Sequence, residues 1–228
     1  MENPTLKKIK NGLIVSCQAL PQEPLYSSYI MARMAYAAWQ GGACGIRANT
    51  VQDITEIKKA VNLPIIGIIK KDYADSAIYI TPTLQEVDAL VKARCDIIAL
   101  DATKRLRPKG QSLDAFFATV RKRYPAQLFM ADCACYEEGM YAAELGFDII
   151  ATTMSGYTAD TKNESLPNYS MMEKLVQACN KPVIAEGGIS TPHQLARAMQ
   201  TGVHAAVVGS AITRPQEITK RFMEAITF

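Results

Sequence analysis

Nothing in the 228 residues approaches the about 18 to 20 consecutive apolar residues of a membrane-spanning helix, so a helical membrane protein is not expected. Histidine is scarce, with two copies, and the six cysteines (Cys17, Cys44, Cys95, Cys133, Cys135 and Cys179) form no CxxC pair and no Cys/His ligand spacing. That excludes the usual sequence signatures of a zinc site and of a dithiol redox centre, and points to reduced, mostly buried thiols; only Cys133 and Cys135, one residue apart, are close neighbours in sequence. Net charge is small, +3, which does not mark nucleic acid or a membrane surface as a partner, although a modest positive balance suits an anionic metabolite. No GxGxxG follows the first apolar run, which counts against a dinucleotide-binding doubly wound sheet. No linker, low-complexity tract or charge run divides the chain, so residues 1–228 are expected to form a single domain. Met1 to Asn11 are polar and lysine-bearing with no apolar h-region, and a cytoplasmic protein is expected.

What the chain does have is rhythm. Short β-branched runs alternate with helical patterns from one end to the other. The strands are read as Gly12–Cys17, Cys44–Arg47, Pro64–Ile69, Asp96–Leu100, Gln127–Ala131, Phe147–Ala151, Pro182–Ala185 and Ala205–Val208. The helices are read as Ser27–Gln40, Val51–Val61, Leu84–Ala93, Leu113–Tyr124, Tyr136–Leu145, Met171–Cys179, Pro192–Gln200 and Gln216–Thr227. Thr83 with Glu86 three residues on forms a capping box, and Ser170 is the expected cap of the sixth helix. The strands are continuous apolar runs, as expected where both faces of a parallel sheet are covered. Eight such units joined by short connections predict an α/β fold, a (β/α)8 TIM-type barrel that binds phosphate, with a doubly wound open sheet as the alternative.

In such a barrel the polar residues just past the strand ends are the active-site candidates. They are Gln18, Arg47, Lys70-Lys71-Asp72, Asp101 with Thr103-Lys104-Arg105, Asp132, Thr152-Thr153, Glu186-Gly187-Gly188 and Gly209-Ser210. Gly187, Gly188, Gly209 and Ser210 follow strands seven and eight, where barrels commonly bind phosphate. Glycine lets backbone N–H groups approach an anion, and Ser210–Thr213 could open a short extra helix; two plain tight turns are the bland alternative. Arg214 sits just beyond and could reach the same site.

Lys70 and Glu186 end strands three and seven, which lie opposite each other across the mouth. A base on one wall and an acid on the other can address both faces of one carbon, as inversion by proton removal and return requires. Burial and the like charge of Arg47 are expected to lower the pKa of Lys70.

Seven segments in this order, GLIVSCQAL, GGACGIRA, LPIIGIIKKDY, IALDATKR, TTMSGYT, VIAEGGISTP and VVGSAITRP, resemble N-acetylmannosamine-6-phosphate 2-epimerases, and the likeness runs from Gly12 to about Phe222. It implies a cytoplasmic carbohydrate-phosphate epimerase of sialic acid and amino-sugar catabolism, a homodimer with no metal and no organic cofactor. Lys70 and Glu186 match the family's catalytic positions. Gln18, Arg47, Asp132 and Arg214 match its substrate-binding positions, and Thr153 in the TTMSGYT segment joins them. Two features depart from the family pattern. Cys133 and Cys135 stand where small or hydroxyl residues are expected, and Gly188 is a position expected to vary.

Whether Glu186 is the second acid/base or only positions groups is open from sequence. Four other readings remain: a Schiff-base aldolase using Lys70, another phosphate-binding isomerase barrel, a flavin barrel using the same glycine loops, and a non-catalytic sugar-phosphate sensor. His193 and His204 are read as structural or solvent-facing, Trp39 as packing rather than binding, and Lys104 and Arg105 as either substrate contacts or a solvated loop.

Overall fold

The computed structural model describes residues 3–226. Eight parallel strands close into a barrel in sequential order: β1 (Leu13–Cys17), β2 (Gly45–Asn49), β3 (Ile65–Ile68), β4 (Ile97–Asp101), β5 (Leu128–Asp132), β6 (Ile149–Ala151), β7 (Val183–Ala185) and β8 (Ala205–Val208). β8 returns to pair with β1 through Leu13 and Ala206, so no edge is left open. The chain opens on α1 (Pro4–Ile9). The outer ring is α2 (Ser28–Gln40), α3 (Val51–Ala60), α4 (Leu84–Lys92), α5 (Leu113–Arg123), α6 (Tyr136–Leu145), α7 (Tyr169–Ala178) and α8 (Pro192–Gln200). A short α9 (Ser210–Thr213) and a last helix α10 (Pro215–Glu224) follow β8; the predicted end of that last helix, Thr227, lies outside the described residues.

Continuous apolar strands have two buried faces, and each face packs separately. Ile14, Ile66, Ile68, Ile97, Met130, Ile149, Ile184 and Val207 meet inside the barrel. Val15, Ile46, Ile65, Ile98, Phe129, Ile150 and Val183 face outward into the helices. A one-residue shift in any strand would exchange these sets.

Besides shifts of a residue or two at element ends, such as β4 and β5 ending at Asp101 and Asp132 rather than Leu100 and Ala131, three differences from the sequence reading stand out. α1 forms where only a polar N-terminus is expected. Asn3 caps it and Pro4 takes its first turn, and Ile9, fully buried, joins the interior cluster at the N-terminal end of the barrel. Two apolar residues are too few to show a helical period. β2 ends at Asn49 rather than Arg47: the polar Arg47 and Asn49 interrupt the apolar run that marks a strand, yet all five residues are buried. α7 is capped by Asn168, whose side chain accepts from the Met171 N–H, and Ser170 lies within the helix. The Thr83–Glu86 capping box is present as read.

Candidate active site

Side chains alternate along a strand, so a residue two beyond an interior apolar one points into the mouth. From Ile68 that residue is Lys70, from Ile184 it is Glu186, from Met130 it is Asp132, and from Ala151 it is Thr153. Gly45, whose missing Cβ leaves room for Ile14 and Ile9, sets the same parity for Arg47. A cavity of about 710 Å³ opens there, a size typical of small-molecule sites. Lys70, Glu186, Arg47, Thr153, Gln18 and Arg214 all line it.

Asp132 does not. It is fully buried behind Arg47, gripping the guanidinium from both oxygens: Nη1 donates to Oδ1 at 3.0 Å and Nη2 to Oδ2 at 2.6 Å. Arg47 Nη1 also donates to Glu186 Oε2 at 2.7 Å, and the Thr153 hydroxyl donates to Asp132 at 2.6 Å. Asp132 therefore orients Arg47 and Thr153 rather than facing the cavity. Burial alone would lower the Arg47 pKa, but the two carboxylates raise it, so the cation is permanent.

Lys70 is pushed down to about 8, chiefly by burial and then by the Arg47 and Arg214 charges, with Glu186 and Glu23 opposing. An amine so tuned is neutral in a useful fraction near neutral pH. Its backbone N–H donates to the Asn49 side chain at 2.9 Å, which fixes the strand end that carries it. Across the mouth, burial foremost and Asp132 next raise the Glu186 pKa, against Arg47, Thr153 and Lys70. The Thr152 hydroxyl holds the Glu186 backbone on both sides, donating to its carbonyl at 2.8 Å and accepting its N–H at 3.0 Å.

Gly187 and Gly188 adopt φ of 109° and 72°, the left-handed region, and a Cβ on Gly188 would stand 2.4 Å from Leu166 Cβ. Only glycine fits there. The N–H groups of these two glycines find no acceptor among the described residues, and both glycines line the cavity. Gly209 and Ser210 face the same space from the neighbouring strand. Arg214 leans over them, its Nη1 donating to the Ser210 hydroxyl at 3.0 Å while Glu23 takes its Nε and Nη2. Two buried polar atoms of residues in the cavity wall, Gln18 Oε1 and Arg47 Nε, also lack a protein partner. Buried polar atoms without a partner are rare in folded proteins, and these two belong to residues of the cavity wall.

Sequence reading missed Ser16, Asn49, Glu23 and Tyr79. Ser16 accepts the Gln18 amide N–H at 2.8 Å, and its place two residues before Gln18 on β1 was a usable signal. Glu23 and Tyr79 lie in loops, where no periodicity points them inward. Lys104 and Arg105 lie outside the cavity lining, paired with Asp160 and Asp101. His204 bonds the Leu6 carbonyl, His193 is exposed, and Trp39 packs on Tyr36 while 46% exposed. All six cysteines are unpaired, and burial pushes the Cys133 thiol up.

A family model described as "Putative N-acetylmannosamine-6-phosphate epimerase" matches residues 31–228. Curated relatives described as "Putative N-acetylmannosamine-6-phosphate 2-epimerase" include one from Caldanaerobacter subterraneus subsp. tengcongensis, 51% identical over 226 residues, spanning 99% of this chain and 95% of the relative. One from Shouchella clausii is 54% identical over 223 residues, spanning 97% and 98%. Among solved structures, the N-acetylmannosamine-6-phosphate 2-epimerase from Clostridium perfringens superposes with a TM-score of 0.94 at 51% identity, covering 99% of this chain and 98% of that one. A thiamine phosphate pyrophosphorylase from Pyrococcus furiosus shares the fold alone, at TM-score 0.61 and 19% identity.

Proposed function

Because the chain belongs to the N-acetylmannosamine-6-phosphate epimerase family, we propose that it interconverts N-acetylmannosamine 6-phosphate and N-acetylglucosamine 6-phosphate by removing and returning the C2 proton, in sialic acid and amino-sugar catabolism. It is a carbohydrate-phosphate 2-epimerase, an isomerase. The observation that carries the mechanism is one cavity lined by Lys70 from the end of β3, by Glu186 from the end of β7 opposite it, and by the glycine loops after β7 and β8. The phosphate sits on the Gly187, Gly188, Gly209 and Ser210 backbone, under Arg214. The open-chain aldehyde acidifies C2–H. Neutral Lys70 takes that proton, and the Arg47 guanidinium stabilises the negative oxygen of the enediolate. Glu186, whose raised pKa favours holding a proton, delivers one to the other face. Gln18 accepts a hydrogen bond from the sugar through its unpartnered Oε1.

A proton NMR time course in D2O tests the reaction. N-acetylmannosamine 6-phosphate is expected to yield N-acetylglucosamine 6-phosphate carrying deuterium at C2. Absence of both product and label would overturn the epimerase.

The Arg47–Glu186 contact at 2.7 Å favours a second version, in which Lys70 moves both protons and Glu186 only positions. Glu186→Gln separates the two. We expect C2 exchange with solvent to persist while epimerisation falls by about 10²-fold or more, the size of one general-acid contribution. Epimerisation near the wild-type rate would assign both transfers to Lys70.

Glu23 takes two donors of Arg214 and so sets the direction of its third. Glu23→Gln is expected to raise KM for the phosphorylated sugar by about tenfold with a smaller change in kcat, the scale of one charge-assisted hydrogen bond. Steady-state kinetics read this directly, and an unchanged KM would remove Glu23 from the phosphate end. We propose a homodimer as well. α10 buries none of its residues against its own barrel, and Phe222 is 73% exposed. Light scattering of the purified chain decides it.

A further inference from the structure

The barrel mouth has a corner used neither by the proton transfer nor by the phosphate loops. Ile68 at the end of β3, Tyr79 and Ile80 from the loop after β3, and Met154 from the loop after β6 line it, in the same cavity as Lys70. Ile68, Ile80 and Met154 are buried and present only hydrocarbon and thioether. Tyr79 is held by its backbone: its carbonyl accepts the Lys71 N–H at 2.9 Å, and the next residue, Ile80, bridges Lys70. Its hydroxyl has one partner among the described residues, the Met154 sulfur at 3.9 Å, which is a weak acceptor. A donor is thus left available beside an apolar surface. Burial first, then the Asp101 and Asp132 carboxylates, keep the phenol protonated.

The glycine loops follow β7 and β8, and β3 lies four strands away from β7 in the closed barrel. A six-carbon chain anchored there by its phosphate extends toward β3, and the C2 substituent continues past Lys70 into this corner. We infer that Tyr79, Met154, Ile68 and Ile80 form a subsite for the N-acyl group on C2. The acyl methyl packs on Met154 and the two isoleucines, and the acyl oxygen accepts the Tyr79 hydroxyl. This rests on the epimerase reading and adds to it what selects a 2-acylamino sugar.

The test measures kcat/KM for N-acetyl- and N-butanoylmannosamine 6-phosphate with wild type, Met154→Ala and Tyr79→Phe. The ratio between two substrates on one preparation is independent of the fraction of folded enzyme. Met154→Ala is expected to shift the ratio toward the N-butanoyl substrate by at least about tenfold, the value of a methylene in an apolar pocket. Met154→Val serves if the alanine variant is insoluble. Tyr79→Phe is expected to raise KM for the N-acetyl substrate about tenfold while kcat stays within about twofold. Unmoved ratios and KM overturn the subsite and leave the epimerase standing. A wild type that leaves N-acetylmannosamine 6-phosphate unconverted overturns both.

Discussion

Lys70→Ala is expected to abolish both epimerisation and deuterium incorporation at C2, a loss of about 10⁴-fold in kcat/KM, the upper end of what one positioned proton-transfer group contributes. The wild-type pH profile follows from the same side chain. A lysine removes a proton only when neutral, and Lys70 is lowered from 10.5 to about 8 by burial first and by Arg47 and Arg214 next. With Lys70 alone titrating, kcat/KM climbs with pH, about tenfold per unit, until about pH 8 and then levels, the profile of a lysine that moves both protons; a Glu186 that must hold the second proton adds a descending limb and turns the profile into a bell. A limb that climbs on toward pH 10.5 would mean that the amine is not the base or that its site is wet when the substrate binds. Borohydride in the presence of substrate should leave Lys70 unmodified. Trapped sugar on Lys70 would instead make it a Schiff-base nucleophile, and the aldolase reading would replace the epimerase.

Most of this site was legible because two periods coincide. Continuous apolar strands imply a parallel sheet covered on both faces, eight such units predict the barrel, and within it the strand period of two carries the inward direction from Ile68 to Lys70 and from Ile184 to Glu186. Once eight strands are counted, the opposition of the third and seventh follows without any side-chain contact being known. Asp132 shows the limit. Parity points it inward, but parity does not say that Arg47, arriving from β2, will stand between it and the cavity. That is a contact across 85 residues of sequence. Glu23 and Tyr79 were not legible at all, because loops have no period and their direction is set by what they pack on. α1 was missed for a different reason: its Asn3-Pro4 start is a helix signal, but Leu6 and Ile9 alone do not make a periodic stripe.

Arg47→Met is expected to cost more stability than any cavity-making change of its size. The guanidinium is 1% exposed and Asp132 0%, so the substitution leaves one carboxylate with no access to water and Glu186 beside it with the same sign. Breaking a buried pair from one side typically costs about 3–5 kcal/mol, because the remaining charge stays desolvated. In a chain of this size that corresponds to a melting point lower by about 6–20 °C. The double variant Arg47→Met with Asp132→Asn removes the stranded charge and should recover most of the loss, which a double-mutant cycle by thermal or urea unfolding measures. Arg47→Lys keeps the charge but not the fork that meets both Asp132 oxygens, and should fall between the two. The catalytic effect has the opposite logic. Removing a positive neighbour lets the Lys70 pKa rise, so the residual activity of Arg47→Met should have its acid limb displaced to higher pH. A variant as stable as wild type would show that Arg47 and Asp132 are not the desolvated pair described. A limb that does not move would leave burial and Arg214 to tune Lys70 without it.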